Sequence, residues 1–465
     1  MKRMPEYKTK RNDFLKEEYY EYTHESGLPV YVFPKKLSTS YALFATRYGS
    51  IDSRFRLAGD KGNTDLRLFS QEKAHKSKTF SCENPNYSVL PKEFTTVPDG
   101  IAHYLEHKMF ENPNGEDTFE RFARFGANAN AYTSTNMTAY LFSCTSCFKE
   151  NLEILLDFVT TPYFTSETVE KEQGIIAQEI RMYDDHPFRS MYQMLLESLY
   201  EKHNVRINVA GTVESISHIT ADILYECYRV FYNLSNMMLI VCGDVTVDEV
   251  NEVCDKVLKK QTPVDIIRDY PVEKADVYKP YAEKAMQVSK PLFGIGVKDI
   301  DIPSDGYERM KKYAEAEILN DVLFGKSGEF YNKLYEEGLL SSQFDVSWEI
   351  NHSYSFNALF GESRDPKAEY DRFVSCVEGA KKNGISVEDF DRSKRALYAS
   401  MVKCFDSTED IANYFLNYKI DDGDLLDYVD VIKNVTIGDV TKLLNDAFRP
   451  EYYSMSVVKP LEERA

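Results

Sequence analysis

Two imidazoles and a carboxylate sit together in His103-Tyr104-Leu105-Glu106-His107. On a helix, positions i and i+4 lie one turn apart on one face, so both imidazoles would point the same way. Neutral imidazole is a preferred zinc ligand, and a pair at this spacing supplies two of the ion's positions. Glu106 falls on the same side and could take a proton from a water polarised by the ion. With 8 histidines in 465 residues, such a string arises by chance about 0.02 times per chain. Two unrelated structural histidines are the competing explanation, and a third ligand in the right context decides between them.

The pentapeptide needs a helix with a buried back. Ile101, Leu105 and Met109 supply an apolar stripe, Asp99-Gly100 after Pro98 a start, and Pro113-Asn114-Gly115 a stop. A second helix, predicted from about Ser166 to Tyr183, sets Val169, Glu172, Ile176 and Glu179 on one stripe. Two carboxylates on an otherwise apolar face are costly to bury unless paired or ligated, so both are candidates for the third ligand and its support. Solvation of a partly exposed stripe is the bland alternative; beside the histidine pair, ligation is favoured. Asp184, Asp185 and His186 are rivals by residue type, but they lie at a helix end before Pro187.

The remaining pattern is mixed α and β. Residues 18–50 read as a hairpin region with a turn at Ser26-Gly27-Leu28-Pro29. Alternating runs at 128–134 and 138–145 read as strands, and 118–125 and 148–159 as helices. Between Arg54 and Val97 the pattern dissolves into a polar, turn-rich stretch, either a functional loop or an insertion. Ile219-Thr220-Ala221-Asp222 opens a helix followed by a strand at 237–241, and Val435-Thr436-Ile437-Gly438-Asp439 opens the same order ending in a strand at 453–458. This internal repeat predicts an α+β protein of two similar domains, 1–258 and 285–465, joined by a linker at 259–284 that contains Pro263 and Pro271. The metal helix lies only in the first.

A net charge of −19 argues against nucleic acid as a partner and weakly favours cationic peptides. No run of 18 apolar residues suggests a membrane span, and no apolar leader follows Met1, so the expected location is cytoplasmic. The eight cysteines are scattered and expected to be reduced. Cys144-Thr145-Ser146-Cys147 has no second pair at zinc-ribbon spacing, which leaves a redox or metal-storage role weak.

Over nearly its whole length the chain resembles the insulinase/pitrilysin family of zinc peptidases, closest to its short bacterial YmfH-type branch. The likeness is densest at Gly100–Phe110, Gly126–Ser134 and Glu170–Pro187, and continues through Gly211-Thr212, Ile216, Ile219-Thr220 and Tyr232–Asp244. His-x-x-Glu-His is the inverzincin order. The resemblance implies one Zn2+ held by His103, His107 and Glu179, with Glu106 as general base and Glu172 supporting the ligands. It implies that Asn130 and Ala131 lie on an edge strand that pairs with an extended peptide substrate. It also implies a fold like that of the mitochondrial processing peptidase, two homologous α+β domains forming half of a clam-shell chamber.

One stretch departs from the family. Active relatives carry an Arg and a Tyr in the second half, in a pattern like L-R-E-K-x-G-L-A-Y, that help hold the substrate carbonyl. Here the stretch reads Leu334-Tyr335-Glu336-Glu337-Gly338-Leu339-Leu340-Ser341-Ser342, without either residue and one position shorter. The expectation is a zinc endopeptidase completed, as a heterodimer, by a homologous zinc-free subunit that brings Arg and Tyr. The alternative is a scaffold or client-dedicated processing subunit of the same fold.

Overall fold

The fold is that of a computed structural model describing residues 5–58 and 93–461. Its first half holds strands β1 (Lys8–Asn12), β2 (Glu17–Thr23), β3 (Pro29–Pro34), β4 (Ser40–Thr46), β5 (Arg54–Leu57), β6 (Thr95–Thr96), β7 (Asn128–Thr133), β8 (Thr138–Cys144) and β9 (Met237–Gly243). The helices there are α1 (Ile101–Met109), α2 (Thr118–Arg124), α3 (Phe148–Thr160), α4 (Ser166–Asp184), α5 (Pro187–Leu199), α6 (Val213–Ile216), α7 (Ala221–Phe231) and α8 (Val247–Val257). After β10 (Ile266–Arg268) come β11 (Tyr281–Met286), β12 (Leu292–Asp299), β13 (Asp345–Ile350), β14 (Ser355–Glu362) and β15 (Tyr453–Pro460). Around them run α9 (Gly306–Phe324), α10 (Glu329–Glu336), α11 (Pro366–Asn383), α12 (Val387–Lys403), α13 (Thr408–Lys419), α14 (Leu425–Asn434) and α15 (Ile437–Ala447).

Two main sheets result, ordered β1-β2-β3-β9-β4-β8-β7 and β11-β15-β12-β14-β13. Five strands match in order and direction. β3 with β9 and β11 with β15 are the parallel pairs, and the other pairings in each set of five are antiparallel. The chain is an α+β protein built from a repeated unit.

β2 and β3 form the hairpin that the turn residues predict. The run does not continue into β4, however, because β9 lies between β3 and β4. Every residue of β9, Met-Met-Leu-Ile-Val-Cys-Gly, is buried, and only a central position covers both faces of such a strand. Of the stretch 54–97, β5 and β6 form a small sheet with β10; residues 59–92 lie outside the described residues.

The halves exchange helices. Leu239 and Val241 face the core that buries α1, α3 and α7, whereas Met238, Ile240 and Cys242 face α13 from the second half. Phe415 of α13 sits 5.0 Å from the rings of Tyr19, Tyr31 and Phe33. In return α5 packs on the second sheet through Met191, Leu195 and Leu199, and Ser456 Oγ donates to the Met191 carbonyl at 2.9 Å. Gly294 and Gly296 make this approach possible. A Cβ on Gly294 would meet Met191 Sδ at 2.5 Å and Ser456 Oγ at 3.0 Å. Gly294→Val should therefore lower the unfolding free energy by about 1–3 kcal/mol, read from urea denaturation. Unchanged stability would contradict this packing.

The connection between the sheets is tied to both. β10 pairs with β5, Arg268 Nε reaches buried Asp52 at 3.0 Å, and Tyr270 Oη donates to Asp52 at 2.7 Å. Lys298 Nζ of β12 lies 3.3 Å from Glu273 and donates to the carbonyls of Lys274 and Asp276.

Candidate metal centre

The pentapeptide forms α1 as its spacing predicts. Gly100 starts the helix at φ +90°, and a Cβ there would lie 2.4 Å from the Ala210 carbonyl oxygen, so both the conformation and the space call for glycine. Ser215 Oγ donates to the Asp99 carbonyl at 2.8 Å and fixes this entry. Ile101, Leu105 and Met109 are buried in the first core. The helix ends at Met109, capped by Phe110, ahead of the expected stop at Pro113–Gly115. A Thr165/Thr168 capping box starts α4. Tyr104 Oη of α1 donates to the Val169 carbonyl of α4, tying the two helices together.

On α4, Val169 and Ile176 enter the core, while Glu172 and Glu179 meet the histidines. His103 Nε2 lies 3.8 Å from Glu179 Oε1, and His107 Nε2 lies 3.4 Å from Glu179 Oε2. One ligand atom from each of His103, His107 and Glu179 falls within 4.8 Å of the others; among the described residues, no second His/Cys/Asp/Glu group does this. Glu172 Oε1 sits 3.0 Å from His107 Nδ1, behind the ring. Glu106 Oε2 accepts from Thr133 Oγ1 of β7 at 2.6 Å. Tyr183 Oη donates to Glu179 Oε1, and the Arg189 guanidinium lies 3.8 Å from the centre of the Tyr183 ring. The rivals fall elsewhere: Asp184 and Asp185 are exposed at the helix end, and His186 accepts from Arg189 N at the start of α5.

These charges oppose one another. Burial pulls the His107 imidazole down, but hydrogen bonds with the Glu172 and Glu179 carboxylates prevail and raise it to about 9. The His107 hydrogen bond outweighs burial at Glu179 and lowers it to about 2. Burial, reinforced by His107, lowers His103 to about 4, and burial raises Glu106. Glu172 is lowered, chiefly by its bond to His107.

Two Nε2 atoms and a carboxylate converge, and a second carboxylate orients one ring from behind. This donor set suits zinc in a three-ligand site with an open fourth position. His103 Nδ1 is buried without a hydrogen-bond partner, leaving its Nε2 as the atom that faces the cluster. A cation at that point would take the place of the His107 proton. Zinc binding at pH 7–8 should release about one proton per chain, read by calorimetry in buffers of different ionisation enthalpy. Heat independent of the buffer would contradict that charge arrangement.

β7 is the outer strand of its sheet and carries Asn130 and Ala131, with Ala131 N donating to Asn130 Oδ1 at 2.9 Å. Thr133 and Tyr183 were not singled out from sequence, although each stands at a meaningful offset: two residues beyond Ala131 on a strand, and four beyond Glu179 on a helix. In the second half α10 ends at Glu336 and Gly338 turns the chain at φ +68°. Tyr335 is exposed and stacks on Tyr331, and Arg372 holds Glu337 at 3.1 Å. Cys144 is buried and Cys147 exposed, neither in a disulfide.

Residues 95–213 match Insulinase (Peptidase family M16), and 218–397 match the Peptidase M16 inactive domain. Over 451 residues the chain is 38% identical to the zinc protease YmfH of Bacillus subtilis (strain 168), covering 96% of this chain and 97% of that one. An M16-like peptidase from Alicyclobacillus acidocaldarius superposes with a TM-score of 0.86 at 32% identity, covering 96% and 99% of the two chains. Pitrilysin shares the fold at a TM-score of 0.68 and 14% identity, with 98% of this chain matching 46% of that one. The family match and the zinc-protease relative support a metallopeptidase. The chain belongs to the insulinase family, peptidase family M16.

Proposed function

We propose that the chain is the metal-bearing subunit of a zinc endopeptidase acting on peptides or unfolded segments. The observation that carries this reading is the convergence of His103, His107 and Glu179 beside a half-buried Glu106. Bound zinc would supply Lewis acidity and lower the pKa of water toward about 7. His103, His107 and Glu179 would hold it, and Glu172 would fix the His107 ring through Nδ1. Glu106 receives the proton as general base at the carboxylate oxygen not bound to Thr133. An extended substrate adds to the β7 edge, with Asn130 and Ala131 as its backbone partners. Residues 1–258 form the zinc domain and 259–284 the connection, whose last four residues already open β11 of the second sheet; 285–465 form the rest of a second domain of the same fold, with no second metal-ligand group among the described residues. Among the described residues no helix is long and apolar enough to cross a membrane.

The stretch around Tyr335 lacks the Arg and Tyr that would steady the substrate carbonyl, which supports a homologous, zinc-free partner. The match to 46% of pitrilysin is consistent with this chain being one of two halves. The test is peptide cleavage by the zinc-loaded chain with and without such a subunit. A gain of at least about 100-fold in kcat is expected on mixing. Full efficiency from the chain alone would remove the need for a partner.

A further inference from the structure

The hydroxyl that donates to Glu106 is that of Thr133 on β7, the strand proposed to receive substrate. Along β7 the side chains alternate: Ala129 and Ala131 pack into the core that buries α1, whereas Tyr132 packs on the opposite face. Thr133 therefore shares the α1 side, and its Oγ1 lies 2.6 Å from Glu106 Oε2. A second threonine backs it up. Thr138, directly opposite on β8, has its Oγ1 3.3 Å from Thr133 Oγ1 and donates its own hydrogen to the Tyr48 carbonyl at 2.9 Å. A hydroxyl has one hydrogen to give. With that of Thr138 committed to Tyr48, Thr133 is the donor, and the Glu106 carboxylate at 2.6 Å is a closer acceptor than Thr138 Oγ1 at 3.3 Å. This occupies Oε2 and leaves Oε1 as the oxygen that can accept from water.

We propose that Thr133 is the positioning residue of the general base, holding Glu106 by Oε2 so that Oε1 faces the reacting water. The inference rests on the reading of Glu106 as the base. It joins two parts of the site on one strand: Asn130 and Ala131 align the peptide, and Thr133, in register with them, aligns the carboxylate. A side chain that orients a reacting group in this way acts on turnover more than on binding.

Valine is isosteric with threonine and equally suited to a strand, so Thr133→Val isolates the hydroxyl, and Thr133→Ser restores it. In the full-length, zinc-loaded chain, T133V should bind zinc and melt as the parent does. Its kcat should fall about 10- to 100-fold with KM within about twofold, and T133S should recover most of the loss. In crystals of zinc-loaded T133V the Glu106 carboxylate should rotate away from its parent position. Parent-like kcat, or an unmoved Glu106 carboxylate, overturns the proposal. So does a loss of zinc or of stability shared by T133V and T133S, which assigns Thr133 a structural role. A parent chain that binds zinc but cleaves no peptide, with or without a partner, defeats the peptidase reading instead. The Glu106 position in the T133V crystal still decides the role of Thr133.

Discussion

Replacing Glu106 by Gln is expected to leave zinc content unchanged and to reduce peptide cleavage by at least about 10³-fold. The amide keeps the shape of the side chain and can still accept from Thr133, but it cannot take a proton. Glu106 stands outside the converging triad of His103, His107 and Glu179, so metal affinity has no reason to fall with it. Zinc per chain and kcat measured side by side check the prediction. Equal cleavage by both proteins would remove Glu106 as the base.

Glu179→Gln is expected to do the reverse and weaken zinc binding by at least about 10³-fold. That is more than the roughly 10- to 100-fold typical when a supporting carboxylate such as Glu172 is changed. Glu179 is the acid whose oxygens face both Nε2 atoms, at 3.8 Å and 3.4 Å, whereas Glu172 touches His107 from the far side of the ring. With zinc bound as proposed, removing the charge on Glu179 would delete a ligand, whereas removing it on Glu172 would loosen one. Chelator competition on the two variants separates the roles. Undiminished occupancy in E179Q would remove Glu179 as the third ligand.

Much of this site was legible because its geometry is local. His103 and His107 share a face through one helical turn, and Glu172 and Glu179 through two, so periodicity alone pairs them. The repeated helix-strand order ending in β9 and β15 was legible for the same reason. What could not be read depends on contacts distant in sequence. The pattern of residues 18–50 does not reveal that β9 would enter between β3 and β4, because that position follows from covering both faces of a wholly apolar strand. The exchange of α5 and α13 was equally hidden; the close approach at Gly294 and Gly296 betrays the seat of α5. Thr133 looked like an ordinary strand residue, since its hydroxyl gains meaning from α1 lying across β7. Tyr183 sits at i+4 from Glu179, but the offset alone does not mark it, because its role rests on the hydroxyl reaching that carboxylate.

The most direct test of the central claim is the position of zinc. A crystal of the full-length protein grown with zinc and recorded at the zinc absorption edge should show one dominant anomalous peak per chain. That peak should lie about 2.0–2.1 Å from the Nε2 atoms of His103 and His107 and about 2.0–2.2 Å from a Glu179 oxygen. A dominant peak at Cys144 and Cys147, or none between α1 and α4 in a protein saturated with zinc, would contradict it.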